Sequence, residues 1–147
     1  MMELSLGEQI LILIREKGPL TTEEIAYYLR RDVKEVTEEL KYLEHDKLIT
    51  RVKRGLVFKR EAFDLTPTGL EEAQRAYEKL KKISESIINK ANTMDYEELE
   101  ELLSQYMPLI PLMMTLNLIP LELLVIMGLD TLLVETIDDS WTSDTTY

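Results

Sequence analysis

The sequence of 147 residues contains no cysteine and only one histidine, His45. Without cysteine, the chain has no disulfide framework and no thiolate metal site, which fits an intracellular protein. A single histidine also excludes a multi-histidine metal centre. The sequence lacks a Gly-rich phosphate loop and any recognisable pairing of a nucleophile with a base, so we predict no enzyme activity, no cofactor and no metal. The first apolar run follows acidic residues instead of the basic segment of a secretory signal, and we expect a cytoplasmic protein.

Basic residues are absent after Lys90. All 17 Lys and Arg residues precede residue 91, together with 17 of the 28 Asp and Glu residues, so residues 1–90 are neutral. The other 11 acidic residues lie in residues 91–147 and account for the whole net charge of -11. An acidic chain is usually a poor candidate for binding nucleic acid. Here that reasoning applies only to the C-terminal region, which we expect to stay away from DNA.

Residues 20–45 predict two short helices separated by a tight break. Thr21 and Asp32 can each cap a helix, with Glu24 and Glu35 three residues further on to complete capping boxes. Apolar residues then recur at helical spacing, so that these side chains are predicted to point inward: Ile25, Ala26, Leu29, Val33, Val36, Leu40 and Leu43. Because only three residues connect the helices, they must cross. This is a helix-turn-helix, which can present its second helix to the major groove of DNA.

The flanking segments predict one more helix and a hairpin. Leu6–Lys17 reads as a helix that Gly18 and Pro19 terminate. Two β-prone runs, Leu48–Arg54 and Leu56–Arg60, lie on either side of Gly55 and indicate a β-hairpin. Residues Ala62–Leu65 can extend its second strand. Three helices followed by a small hairpin is the order of elements in a winged-helix domain.

Several segments in this order resemble the winged-helix regulators of the MarR and PadR type: GPLTTEEIAYYL, LEHDKLI, the basic hairpin and FDLTPTGLEEA. In the last segment, Thr66 would cap the next helix and Pro67 would occupy its first position. The resemblance covers roughly residues 6–90. It implies a dimeric transcription factor that binds double-stranded DNA, as many bacterial and archaeal members are. Winged helices also dock proteins, so a subunit of a transcription, replication or chromosome assembly with little DNA affinity of its own stays open.

If the domain binds DNA, ten residues are the candidate contacts. Five come from the second helix and its approach and five from the hairpin: Arg30, Arg31, Lys34, Thr37, Lys41, Arg51, Lys53, Arg54, Lys59 and Arg60. The basic hairpin suits phosphate or minor-groove contact and is the stronger half of this prediction. Four glutamates on the second helix would repel phosphates and are more simply a solvated face.

Residues 70–91 show an apolar repeat with alternating spacings of three and four. It predicts a long helix that either packs on its own domain or pairs with the same helix of a second subunit. Because such a helix outreaches a small winged domain, we favour a homodimer. The predicted dimer contacts are Leu70, Ala73, Tyr77, Leu80, Ile87 and Ala91.

The C-terminal third predicts an apolar, acidic, helical appendage. Three prolines cut Met107–Leu129 into short helical pieces. We expect their large apolar surface to be buried mainly between two subunits and alongside the Leu70–Ala91 helix. A membrane anchor over Met107–Leu129 is the less favoured alternative, because prolines and polar residues interrupt it and no basic residue flanks it closely. The acidic tail, which carries Trp141, is predicted to be flexible and free for a protein partner.

The predicted fold class is mainly α with a small β-hairpin wing. Residues 1–65 form the winged helix-turn-helix domain and residues 66–92 the long connecting helix. The helical appendage spans residues 93–137 and the flexible acidic tail spans residues 138–147.

Overall fold

A computed structural model describes residues 3–93, 95–126 and 128 of the chain. The elements are α1 (Leu6–Lys17), α2 (Thr22–Leu29), α3 (Val33–His45), β1 (Ile49–Arg54), β2 (Arg60–Leu65), α4 (Pro67–Asn92), α5 (Tyr96–Tyr106), a 3-10 turn (Met107–Leu109), α6 (Ile110–Thr115) and α7 (Leu121–Ile126). The two strands pair in antiparallel fashion. The predicted class, mainly helical with a hairpin wing, is therefore confirmed.

The caps at the helix starts follow the sequence closely. Both α1 and α2 begin with complete capping boxes. At α3 only half of the predicted box forms: the carboxylate of Asp32 accepts a hydrogen bond from the N–H of Lys34 at 2.8 Å. Glu35, expected to reach back to Asp32, instead accepts from Arg31 at 3.1 Å. The start of α3 is therefore capped as predicted, but the role predicted for Glu35 was wrong.

The turn of the wing is longer than the sequence predicts. β2 covers Arg60–Leu65, and residues 55–59 form the turn, so the assignment of Leu56–Arg60 to a strand was wrong. A contact distant in sequence sets this register. Phe63 exchanges two backbone hydrogen bonds with Leu20, at 2.8 and 3.2 Å, and its side chain is buried. Because the strand must place Phe63 against Leu20, two residues before α2, the apolar segment upstream of Phe63 becomes the hairpin turn.

The inward face of α3 also differs at one position. Val36, Leu40 and Leu43 are buried as predicted, but Val33 is 45% exposed. Val33 is the first residue of α3 and lies where the helix emerges from its solvated turn, before the neighbouring helices cover it. The buried face of α3 therefore begins one turn later than its apolar pattern predicts.

Helix α4 packs on its own chain along most of the apolar repeat. Ala73, Leu80 and Ile87 are completely buried, Tyr77 and Ala91 are half-buried, and Leu70 is 50% exposed. Helices α1 and α5 supply the packing. At the edge of the contact with α1, Lys79 forms an ion pair with Glu8, and the guanidinium of Arg15 lies 5.0 Å from the centre of the Tyr77 ring.

The short helices after α5 belong to the same hydrophobic core as α1 to α4. Ile110, Leu112 and Met113 are completely buried within one chain, and α6 packs on α2. These three side chains are thus covered inside the subunit, whereas we expected burial mainly between subunits. The predicted packing alongside the Leu70–Ala91 helix is present where α5 contacts α4. Among residues 3–93 and 95–126, no helix is long and apolar enough to cross a membrane. The predicted flexible tail, residues 138–147, lies outside the described residues.

Candidate nucleic-acid interface

The outward face of α3 and the wing lie side by side. A recess of about 150 Å³ separates them. Its walls come from α2, α3 and both strands: Thr22, Thr37, Leu40, Lys41, Glu44, Arg51, Glu61 and Phe63. Because side chains alternate across a strand, Lys53 lies on the same face of the hairpin as Arg51. The helix-turn-helix and the wing therefore form one continuous surface.

Arg51, predicted to contact DNA, is held by two carboxylates. Its Nε and Nη2 donate to Glu44 at 2.8 and 3.1 Å, and its Nη1 donates to Glu61 at 2.8 Å. The hydrogen bond from Arg51 lowers the pKa of the Glu44 carboxyl, and the same pair raises the pKa of Arg51. The guanidinium thus joins the end of α3 to both strands. It positions the wing, and its charge is already compensated.

Arg54 has a similar structural role on the other side of the wing. Its Nη1 donates to the carbonyl of Pro19 at 2.7 Å, and its Nη2 donates to Glu24 at 2.7 Å. Partial burial raises the pKa of Glu24, but the hydrogen bonds from Arg54 and from the N–H of Thr21 outweigh it, so the pKa is lowered overall. Arg54 therefore fastens the wing to the loop before α2.

This pairing predicts a specific pH dependence for the variant Arg54→Gln. A carboxyl whose pKa is lower in the folded state stabilises the fold above its unfolded pKa, and this contribution is lost as the pH falls through the folded value. The difference in thermal midpoint between wild type and Arg54→Gln should therefore be largest above pH 4.5, the ordinary value for Glu24, and should shrink below it. Circular dichroism melts at a series of pH values measure this.

Arg60→Gln is the matched control, because Arg60 is an exposed cation of the same wing with no carboxylate partner among the described residues. Its melting curve should follow the wild type at every pH. A constant offset between wild type and Arg54→Gln, down to the most acidic sample, would contradict a role for the Glu24 pair.

Four of the ten predicted contacts are exposed cations without an acidic partner in the described part of the chain: Lys34, Lys53, Lys59 and Arg60. The other members of the set are engaged. Arg31 pairs with Glu35, and Lys41 lies 3.7 Å from Glu38. Arg30 is exposed and follows α2 as its C-cap, in a left-handed conformation (φ +54°). It also interacts with another group.

The hydroxyl of Thr37 donates to the carbonyl of Val33 at 2.8 Å, one turn earlier in α3. A threonine within a helix can bond the carbonyl four residues earlier in this way. The residue still lines the wall of the recess. Thr37 is therefore positioned beside the wing, as predicted for a residue of the outward face.

Sequence reasoning missed two features of this surface. It expected four glutamates of the second helix to repel phosphates, whereas one of them, Glu44, accepts two hydrogen bonds from Arg51 of β1. It also placed Leu56, Val57 and Phe58 in a strand, whereas they lie exposed at the wing tip. Their place at the tip follows from the pairing of Phe63 with Leu20, which no local signal in the sequence indicates. No group of three or more acidic or histidine side chains within the described ranges could hold a metal ion.

Comparison with known proteins shows which proteins share this fold. The model of a family described as HVO_A0114 matches residues 8–65. Among solved structures, a cysteine-to-serine mutant of Lactococcus lactis ZitR superposes with a TM-score of 0.58 at 24% identity, over 71% of this chain and 74% of that one. A glutamate-to-alanine mutant of ZitR gives 0.57 at 26% identity, over 71% of both chains.

Wild-type L. lactis ZitR has been solved in complex with DNA, and that structure matches with a TM-score of 0.53 at 25% identity, over 72% of both chains. No curated protein matches the sequence significantly. The fold and these similarities agree: the chain is a winged-helix protein that resembles transcription regulators of the MarR type.

Proposed function

We propose that the protein is a DNA-binding transcription regulator without catalytic activity, which acts as a homodimer in the cytoplasm. One observation carries the proposal. Lys34 at the start of α3, together with Lys53, Lys59 and Arg60 on the wing, keeps its charge uncompensated by the described carboxylates. The glutamates nearest the wing accept from Arg51 and Arg54. The similarity to ZitR, solved with DNA, supports the same partner.

The charge distribution also favours one orientation of the protein relative to DNA. Lys34 and the exposed cations of the wing attract the phosphates, whereas residues 91–147 carry only negative charge. In a solution of low ionic strength, where charges act over tens of ångströms, these two fields turn the wing toward the duplex. Affinity then depends on salt, since each neutralised phosphate releases counterions.

A variant with Lys34, Lys53, Lys59 and Arg60 all changed to alanine tests the proposal. Binding to a pool of random-sequence 30-base-pair duplexes, followed by fluorescence anisotropy over a range of salt concentrations, should weaken at low salt. The slope of log K against log salt should become shallower by about 0.9 for each phosphate that the variant no longer neutralises. The control is Lys81→Ala with Lys82→Ala, two exposed lysines on α4. Equal binding by the wild type and the fourfold variant would refute the proposal.

The homodimer is part of the same proposal. Regulators with a helix-turn-helix read two half-sites about one helical turn apart, which requires two recognition helices related by symmetry. Along α4, Leu70 is 50% exposed and available to a second subunit, while Ala73, Leu80 and Ile87 are covered by the protein's own helices. Light scattering on the free protein, and on its complex with a selected duplex, should give the mass of two chains.

A protein-docking winged helix is the second candidate. The acidic face of α3 favours it, because the exposed carboxylate of Glu38 lies 3.7 Å from Lys41 and would still face the phosphates of a bound duplex. The acidic tail at residues 138–147 would supply a further contact for a protein partner. Stable heteromeric partners in a pull-down, together with no affinity for duplex DNA, would favour this function instead.

A further inference from the structure

The tip of the wing presents three large apolar side chains to solvent. Leu56, Val57 and Phe58, here called the wing-tip triplet, are 99%, 83% and 86% exposed. The turn that carries them is tight. Gly55 has φ +113°, and a Cβ on it would lie 2.5 Å from the carbonyl oxygen of Phe58. Glycine fits there because it has no side chain to meet this carbonyl and adopts a positive φ without strain.

Three adjacent apolar side chains with almost no contact forgo a substantial free energy of burial. Covering them would remove this apolar surface from water, which is favourable. A hairpin turn normally carries polar residues or glycine instead. The triplet is therefore suited to contact a binding partner.

The charges around the triplet indicate what that is. Lys53, Lys59 and Arg60 flank it without acidic partners among the described residues. Glu61, the nearest carboxylate on β2, accepts from Arg51 at 2.8 Å. The surroundings of the triplet are thus positively charged. They suit a partner whose negative charges lie on either side of an apolar surface.

We propose that the wing-tip triplet enters the minor groove of duplex DNA as an apolar wedge, while the flanking cations contact the phosphates on either side. Apolar side chains inserted between base steps partly unstack them and bend the duplex. The recess between the wing and α3 places Thr37 and Lys41 beside the hairpin, so a duplex on α3 continues toward the tip. This inference rests on the proposed function and adds how the wing recognises DNA.

The wedge has a thermodynamic signature that separates it from the cations. An apolar contact releases no counterions, so removing it weakens binding equally at every salt concentration. Removing a lysine from a phosphate changes the salt dependence itself. Unstacking also favours flexible pyrimidine–purine steps, so the triplet should select deformable sequences without hydrogen bonds to their bases.

The test uses the full chain and a duplex selected by the wild-type protein from the random pool. The variant Leu56→Ser/Val57→Ser/Phe58→Ser should bind this duplex about tenfold or more weakly, with an unchanged salt slope. Fluorescence energy transfer between dyes at the duplex ends should report a smaller bend. The control Lys59→Ala should reduce the salt slope by about 0.9 and keep the bend. Because the triplet is exposed, the thermal midpoint of the serine variant should match the wild type, which verifies its folding.

The outcomes separate the inference from the proposed function. If the wild type binds and bends DNA and the serine variant does the same, the wedge is refuted and the regulator stands. If the wild type has no affinity for duplex DNA, both fall. In that case, sedimentation with phosphatidylglycerol vesicles that depends on the triplet would assign it to a lipid surface. A triplet-dependent mass in light scattering would assign it to contact between protein chains.

Discussion

Replacing Gly69 with alanine is expected to lower the thermal midpoint by roughly 10 °C, from a destabilisation of about 3 kcal/mol. A Cβ on Gly69 would lie 1.8 Å from the carbonyl oxygen of Leu48, a backbone atom that cannot swing away. The same place holds the wing against α4: the N–H of Thr66 donates to Leu48 at 3.0 Å, and its hydroxyl donates to Lys47 at 2.7 Å. To admit the methyl group, α4 must move and give up these bonds. Calorimetry of both proteins measures the change.

Gly7→Ala is the matched control, because it is the same substitution in the first turn of another helix. A Cβ on Gly7 would meet the carboxylate end of Glu39 at 2.7 Å, which can rotate away, and a methyl of Leu43 at 3.3 Å. The higher helix propensity of alanine offsets part of that crowding, so the change should stay within about 1 kcal/mol. Equal midpoints for the two variants would show that the Leu48 carbonyl does not restrict Gly69.

Features set by neighbouring residues were predictable from the sequence. The caps at Thr21 and Thr66 and the proline in the first turn of α4 depend on side chains within three residues of the backbone they serve. Such pairs can be read directly, because the chain itself brings them together. The helices and their order followed from these signals and from apolar periodicity.

Features set by distant residues were not predictable in the same way. Nothing local indicates that Phe63 must pair with Leu20, yet this pairing decides which residues form the wing tip. Arg54 reaches Glu24 from 30 positions away, so a basic hairpin reads as more available for phosphates than it is. The sequence shows how many basic residues the hairpin has. Which of them are paired with carboxylates depends on tertiary contacts.

The apolar repeat of α4 shows a third kind of limit. Periodicity identifies the face of a helix that leaves water, but it does not identify the surface that covers it. Leu80 and Ile87 satisfy the pattern for a subunit contact and for packing inside the chain alike, and the structure buries both within one chain. The length of α4 favoured a subunit contact, because a winged domain alone is too small to cover the helix, whereas the appendage shares in covering it.

Leu112→Ala tests whether the appendage and the winged helix share one core. Leu112 is completely buried in α6, which packs on α2 of the helix-turn-helix. Removing three methyl-sized groups there should leave a cavity and cost about 2–5 kcal/mol. Because the core is continuous, the whole chain should still unfold in one transition, shifted to lower urea concentration than the wild type by the same amount at every protein concentration. Urea titration followed by circular dichroism gives both quantities.

Leu121→Ala provides the comparison, since Leu121 lies on α7 with 55% of its surface exposed. The same truncation there should change stability by no more than about 0.5 kcal/mol. An apolar core located between two subunits would give a different result. Leu112→Ala would then weaken the dimer, and its urea midpoint would rise with protein concentration toward that of the wild type. A midpoint that stays low at every concentration places the contribution of Leu112 inside the single chain, where it supports the helix that carries the recognition surface.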